Sequence, residues 1–207
     1  MWTPVKIGIL GGTFNPIHNS HIYLARQFYQ ALGLDELLLI PTYTPPHKEA
    51  ADLAAPAHRL AMCGLAAQAE GFAVCDYEIN RAEKSYSYKT LAYLAEQYPG
   101  AELFFLMGAD MFLTVQHWYK TQEIYRYATL CAAARQPQEL AALQAHQPLL
   151  EAQGARTVVL PVEAKPLSST EIRAKAGRGE SIDDLVPPAV AEYIKAYGLY
   201  GGCAGAV

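Results

Sequence analysis

An α/β fold is predicted, a single domain built on a doubly wound, mostly parallel sheet. Three observations lead there. Short apolar runs alternate with helix-period segments along the whole chain. The runs are apolar at every position rather than at every second one, so the sheet must be covered on both faces. The chain has 207 residues, 52% hydrophobic and 17% charged, enough for one sizeable core and far from a disordered composition.

The elements follow in order. Val5–Leu10 is an apolar run closed by Gly11-Gly12 and reads as a buried strand. A polar loop, Thr13 to Asn19, leads into a helix in which Ile22, Leu24, Ala25, Phe28, Tyr29 and Leu32 recur at helical spacing and Gly33 is the stop. Glu36–Ile40 is a second strand, which completes a βαβ unit. A loop with Pro45-Pro46 precedes a helix over Pro56–Glu70, its proline near the first turn. A short strand over Phe72–Cys75, a helix over Tyr88–Tyr98 and an apolar strand over Glu102–Met107 come next. Then follow a helix over Thr121–Tyr127, a strand over Ala128–Ala133, a helix over Pro137–Gln153 and a last strand over Arg156–Leu160. Ser168–Ala176 and Pro187–Tyr197 are the closing helices. One domain is expected over 1–207, with a frayed tail over 201–207.

Composition excludes several classes. The net charge is −4, which argues against a basic nucleic-acid-binding domain. Cys63, Cys75, Cys131 and Cys203 form no C-x-x-C pair and stand at no zinc-ligand spacing from a histidine, so they read as reduced thiols of a cytoplasmic protein. No apolar run approaches the roughly 20 residues that span a bilayer, and no signal peptide is read. No membrane partner is expected.

Ligands of an open α/β sheet bind beyond the carboxyl ends of the strands. The loops there cover residues 11–21, 41–50, 108–119, 134–138 and 161–173, and they hold most of the unusual polar residues. Gly11-Gly12-Thr13-Phe14 followed by a helix is a natural phosphate cradle, although a glycine pair alone is more often a plain strand-to-helix turn. It is neither a G-x-G-x-x-G fingerprint nor a P-loop. His18 and His21, spaced i and i+3, face one way and can donate to phosphoryl oxygens. Such a pair could also start a metal site, but no third ligand is near, and no protein-held metal is expected. Leu167-Ser168-Ser169-Thr170-Glu171-Ile172-Arg173 supplies a second helix N-terminus with capping hydroxyls, and Arg173 one turn in has a fork suited to phosphate oxygens.

GGTFNPIHNSH resembles the (H/T)-x-G-H motif of the nucleotidyltransferase superfamily, with Ser20 in place of the glycine. LSSTEIR resembles the I-S-S-T-x-I-R motif of the same superfamily. Pro45-Pro46-His47-Lys48, Ser85-Tyr86-Ser87 with Thr90-Leu91, Gly108-Ala109-Asp110, Trp118-Tyr119 and the closing LVPPAVAEYIKAYGLY are together similar to the bacterial nicotinate-nucleotide adenylyltransferase family. The similarity runs from Lys6 to Tyr200.

The resemblance implies a Rossmann-like fold of nucleotidyltransferase type and adenylyl transfer from ATP to nicotinate mononucleotide, giving deamido-NAD and pyrophosphate. Mg²⁺ would enter with ATP, held largely by phosphates and water. It assigns His18, His21 and Arg173 to catalysis. It assigns Gly11, Gly12, Thr13, Phe14, Gly108, Asp110, Arg135, Ser169 and Thr170 to ATP. It assigns Lys48, Ser87, Thr90, Trp118 and Tyr119 to the mononucleotide, with backbone N–H groups reading the nicotinate carboxylate. Trp118 offers a flat face to a pyridine ring, in a polar setting for a core residue. Asp110 could instead be a helix N-cap, and Arg135 and Lys48 could be surface charges. The rivals are a same-fold adenylyltransferase using nicotinamide mononucleotide or phosphopantetheine, and a non-catalytic dinucleotide-binding module. Monomer and homo-oligomer both remain open.

Overall fold

The computed structural model describes residues 4–44, 53–162 and 167–201. Six parallel strands lie in the order β3-β2-β1-β4-β5-β6. They are β1 (Lys6–Gly12), β2 (Glu36–Pro41), β3 (Ala73–Val74), β4 (Glu102–Gly108), β5 (Ala128–Ala134) and β6 (Arg156–Pro161). Every strand pairing in this sheet is parallel, so "mostly parallel" sharpens to parallel throughout.

The apolar runs divide as a covered sheet requires. Ile7, Ile9, Leu38, Ile40, Leu103, Phe105, Met107, Leu130 and Ala132 enter one core, and Leu10, Leu37, Leu39, Leu106, Cys131 and Ala133 enter the other. Alternate residues point to opposite faces, and both faces are dry, so the runs look continuous in sequence. The first face carries α4 (Ser87–Gln97), α6 (Thr121–Tyr127) and α7 (Pro137–Ala152). The second carries α1 (Asn19–Leu32), α2 (Pro56–Glu70), α8 (Ser169–Gly177) and α9 (Pro188–Ala196).

Most predicted boundaries fall within two residues of the observed ones. Gly33 closes α1 in the left-handed region (φ 59°), and Pro56 and Pro137 sit in the first turns of α2 and α7. Short helices over Tyr77–Arg81 (α3) and Ala109–Phe112 (α5), and a 3₁₀ turn over Val115–His117, were not predicted. Each is too short to show a helical period. β1 runs two residues past its predicted end, because Gly11 and Gly12 pair with Ile40 and Pro41. Gly12 is therefore strand, and its missing side chain makes room for a neighbour: a Cβ there would lie 2.9 Å from the Phe14 ring.

The order β3-β2-β1-β4-β5-β6 reverses direction between β1 and β4. A crevice opens there at the carboxyl edge, the place where such sheets bind ligands. Among the described residues, no helix is long and apolar enough to cross a membrane.

Candidate active site

The chain leaves β1 at Gly12 and enters α1 at Asn19. Phe14 sits between them, 2% exposed and with a positive φ of 46°. His18 is the N-cap of α1 and is buried. Its ring stacks on that of His21, with centroids 3.6 Å apart and planes 20° apart. The His18 N–H donates to His21 Nδ1 at 3.3 Å. Nδ1 of His21 is thus an acceptor, so Nε2 is the ring nitrogen left to donate. Burial, and then the positive charge of Arg135, hold the His18 imidazole down at about 4, so it is neutral at physiological pH. Its Nδ1 is buried and makes no hydrogen bond among the described residues. An orphaned buried nitrogen is costly unless a ligand supplies the partner.

The far end of the chain closes on this loop. Ser168 caps α8, accepting from the Glu171 N–H at 3.2 Å, while Ser169 Oγ donates to the Pro16 carbonyl at 3.0 Å. Arg173 Nη1 donates to the Asn15 carbonyl at 3.0 Å, and its Nη2 donates to Thr170 Oγ1 at 3.4 Å. Asn15 Oδ1 accepts from the Tyr200 hydroxyl at 2.9 Å and from the Ala54 N–H at 3.0 Å. Arg173, Thr170 and Tyr200 also line an open groove of about 520 Å³.

Gly108 ends β4, and Asp110 is exposed in the first turn of α5. Gly108 is itself the N-cap of that helix, so Asp110 does not take the capping position. A side chain on Gly108 would meet Asp110 Oδ1 at 2.9 Å. Arg135 follows β5 and is exposed, and its field reaches His18.

The residues that the resemblance assigns to the mononucleotide lie beyond β4 and at the start of α4. Ser87 is the first residue of α4, and the N–H groups of Ser87 and Tyr119 take no hydrogen-bond partner among the described residues. Tyr119 is 60% exposed and meets the rings of Tyr86 and Tyr88 at 5.3 and 5.7 Å. Trp118 is half-buried, edge-on to Phe105 at 6.3 Å. Thr90 differs from expectation. It is buried, and its hydroxyl donates to Glu78 Oε1 at 2.6 Å rather than opening toward a ligand. Burial pushes the Glu78 carboxyl up, against hydrogen bonds from Ser85 and Thr90 that lower it. Lys48 and the rest of PPHK lie outside the described residues, as do Cys203 and the tail from residue 202 on.

Two residues escaped the sequence reading. Arg59, wholly buried in α2, donates to the carbonyls of Thr13, Thr42, Tyr43 and Ala54. Its signal was present: Arg59 heads a stripe with Met62, Cys63 and Ala66 at i+3, i+4 and i+7, the spacing of a buried helix face. Asn15 is the other, and a single asparagine in a loop carries no such pattern. Among the described residues no group of three or more His, Cys, Asp or Glu could hold a metal ion. Burial pushes the Cys131 thiol up to about 12 and raises those of Cys63 and Cys75 as well, the opposite of an activated nucleophile.

A stacked histidine pair, a guanidinium and a capped helix N-terminus meet at the loop that leaves β1 at the carboxyl edge, an arrangement suited to holding phosphate oxygens. The Cytidylyltransferase-like family profile matches residues 9–175, and the chain belongs to that family. Its curated relatives are more specific. The chain is 37% identical to a Shewanella putrefaciens protein named "Probable nicotinate-nucleotide adenylyltransferase", over 95% of this chain and 99% of the relative. It is 40% identical to a Neisseria meningitidis serogroup B protein of the same name, over 94% and 98%. In fold it resembles the Plasmodium falciparum nicotinic acid mononucleotide adenylyltransferase complexed with NaAD. That match has a TM-score of 0.75 and 19% identity, and it covers 95% of this chain and 97% of that one.

Proposed function

We propose that the chain transfers the adenylyl group of ATP to nicotinate mononucleotide, yielding deamido-NAD and pyrophosphate, as a step of NAD biosynthesis. The observation that carries this reading is the junction of the two chain ends. Ser169 and Arg173 bind the carbonyls of Pro16 and Asn15, directly ahead of the stacked His18 and His21. The names of the full-length relatives support the choice of acceptor.

The mononucleotide phosphate is ionised at neutral pH, so the reaction needs no protein nucleophile and no general base. One of its oxygens attacks the α-phosphorus of ATP in line. The bond from that phosphorus to the bridging oxygen breaks, and pyrophosphate leaves with the electron pair. The chain must align two polyanions and stabilise the charge that gathers on the transferred and leaving groups. Nε2–H of His21 and the neutral ring of His18 donate to oxygens of the α- and β-phosphates. As donors they hold the anion without transferring a proton to it. The cradle from Gly11 to Phe14 supports the α-phosphate. Ser169, Thr170 and Arg173 hold the end where pyrophosphate forms, and Gly108, Asp110 and Arg135 contact the adenosine half. Mg²⁺ would enter with ATP, held largely by phosphates and water, and would offset phosphate charge there.

On the acceptor side the pyridine ring stacks on Trp118. The N–H groups of Ser87 and Tyr119 read the carboxylate. Donors alone suit an acid and leave the NH₂ of a carboxamide without an acceptor, which sets the preference. Lys48 is assigned to the mononucleotide phosphate. The free thiols Cys63, Cys75 and Cys131 fit a reducing, cytoplasmic compartment.

The test is product identification by mass after incubation with ATP, Mg²⁺ and, separately, nicotinate mononucleotide, nicotinamide mononucleotide and phosphopantetheine. Deamido-NAD should dominate. Dephospho-CoA as the main product, or no adenylylated product at all, would reverse the assignment.

A further inference from the structure

Arg59 is a cation wholly removed from water, and it has no carboxylate partner among the described residues. Its guanidinium instead gathers four backbone carbonyls: Thr13 at 2.8 Å, Thr42 at 2.5 Å, Tyr43 at 2.9 Å and Ala54 at 3.1 Å. Such a fan of donors is available only to arginine, since a lysine ammonium cannot reach carbonyls spread across a plane.

The bond to Thr13 matters most. The Thr13 carbonyl and the Phe14 N–H belong to one planar trans peptide, so they point in opposite directions. With the carbonyl held by Arg59, the N–H is turned away from α2, and it finds no hydrogen-bond partner among the described residues. Phe14 is also in the left-handed region, at φ 46°, where a bulky residue is strained. A flip of the Thr13–Phe14 peptide would bring that φ back to an ordinary negative value. It would also turn the Thr13 carbonyl oxygen, rather than an N–H, toward any phosphate in the cradle. Local strain therefore favours the wrong orientation, and Arg59 opposes it.

We propose that Arg59 is a positioning residue: it locks the Thr13–Phe14 peptide with its N–H presented to the α-phosphate oxygen. The inference rests on the adenylyl-transfer reading for the identity of that phosphate, and it concerns the donor side alone. It explains why a charge is buried in α2 with no carboxylate partner among the described residues.

The experiment follows the Phe14 amide by NMR in ¹⁵N-labelled protein during titration with α,β-methylene-ATP. In the native chain the amide proton should shift downfield and saturate with the nucleotide. In Arg59→Lys, folded by circular dichroism, the shift should be lost, and kcat should fall by up to about 10²-fold, the lower end of the range for losing one preorganised donor. In Arg59→Ala, millimolar guanidinium should restore part of both. A Phe14 amide indifferent to the nucleotide in the native chain would overturn the proposal, as would native kcat in folded Arg59→Lys. If neither variant folds, the native titration can still overturn the proposal through an amide that ignores the nucleotide. A Phe14 shift with ATP analogue but no deamido-NAD product would sink the acceptor assignment and leave Arg59 in its role.

Discussion

The two sides of the crevice are built differently. On the phosphate side, the carbonyls of Thr13, Asn15 and Pro16 are each captured by a side chain from a distant helix, namely Arg59, Arg173 and Ser169. Phe14, Asn15 and His18 are buried. On the acceptor side, Tyr86, Tyr88 and Tyr119 touch through ring contacts of 5.3 to 6.2 Å, and Lys120 Nζ lies 4.7 Å from the Tyr88 ring centre. Directional bonds fix the first side, and weakly directional ring contacts shape the second. In-line displacement tolerates little error in the phosphate geometry. A flat pyridine ring needs only a face and two donors. On the proposed reading, directional bonding is concentrated where the chemistry demands it.

The sharpest way to break this contrast is His21→Ala. It should lower kcat by about 10²- to 10³-fold with little change in melting temperature, because it removes a donor aimed at developing charge. Steady-state kinetics checks this, and native turnover would remove His21 from its role.

The next effect is on stability. The folded His18 pKa is depressed from 6.5 to about 4, so below pH 6.5 the unfolded chain takes up a proton that the folded chain refuses. The stability from this site is full above pH 6.5 and declines as pH falls toward 4. The loss is on the order of 3 kcal/mol at that limit. Urea titrations at pH 7.5, 5.5 and 4.5 measure the slope, and His18→Gln should flatten it. Equal slopes in the two proteins would place His18 in water.

The smallest effect belongs to the rim. Trp118→Ala should raise KM for nicotinate mononucleotide by roughly 5- to 30-fold, corresponding to about 1–2 kcal/mol of lost stacking, and leave KM for ATP near native. An equal rise for both substrates would mean that Trp118 supports the whole edge through Phe105 rather than meeting the ring.

Much of this was legible in the sequence. Local period and punctuation define most elements, since Gly33, Pro56 and Pro137 act within a few residues of where they stand. The strands were readable because both faces of the sheet are dry. What stayed hidden depends on partners distant in sequence. Thr90 was assigned to the mononucleotide through the family resemblance, yet its hydroxyl partner, Glu78, lies in a helix too short to predict. Gly12 looked like a phosphate contact, and only coordinates show that it also gives way to the ring of Phe14. Arg59 had a helical pattern to betray its burial, but none to say which carbonyls it would collect.

The closure of α8 on the loop after β1 has a consequence for biosynthesis. All six strands end by Pro161, while the Ser169–Pro16 bond spans 153 positions. A nascent chain emerging from the ribosome can finish its sheet before anything clasps residues 15 and 16 from the far side. Competence for turnover is therefore acquired only once α8 is made, and a fragment halted after β6 would lack both that clasp and the apolar cover that Ile172, Val190 and Ile194 give the second face of the sheet.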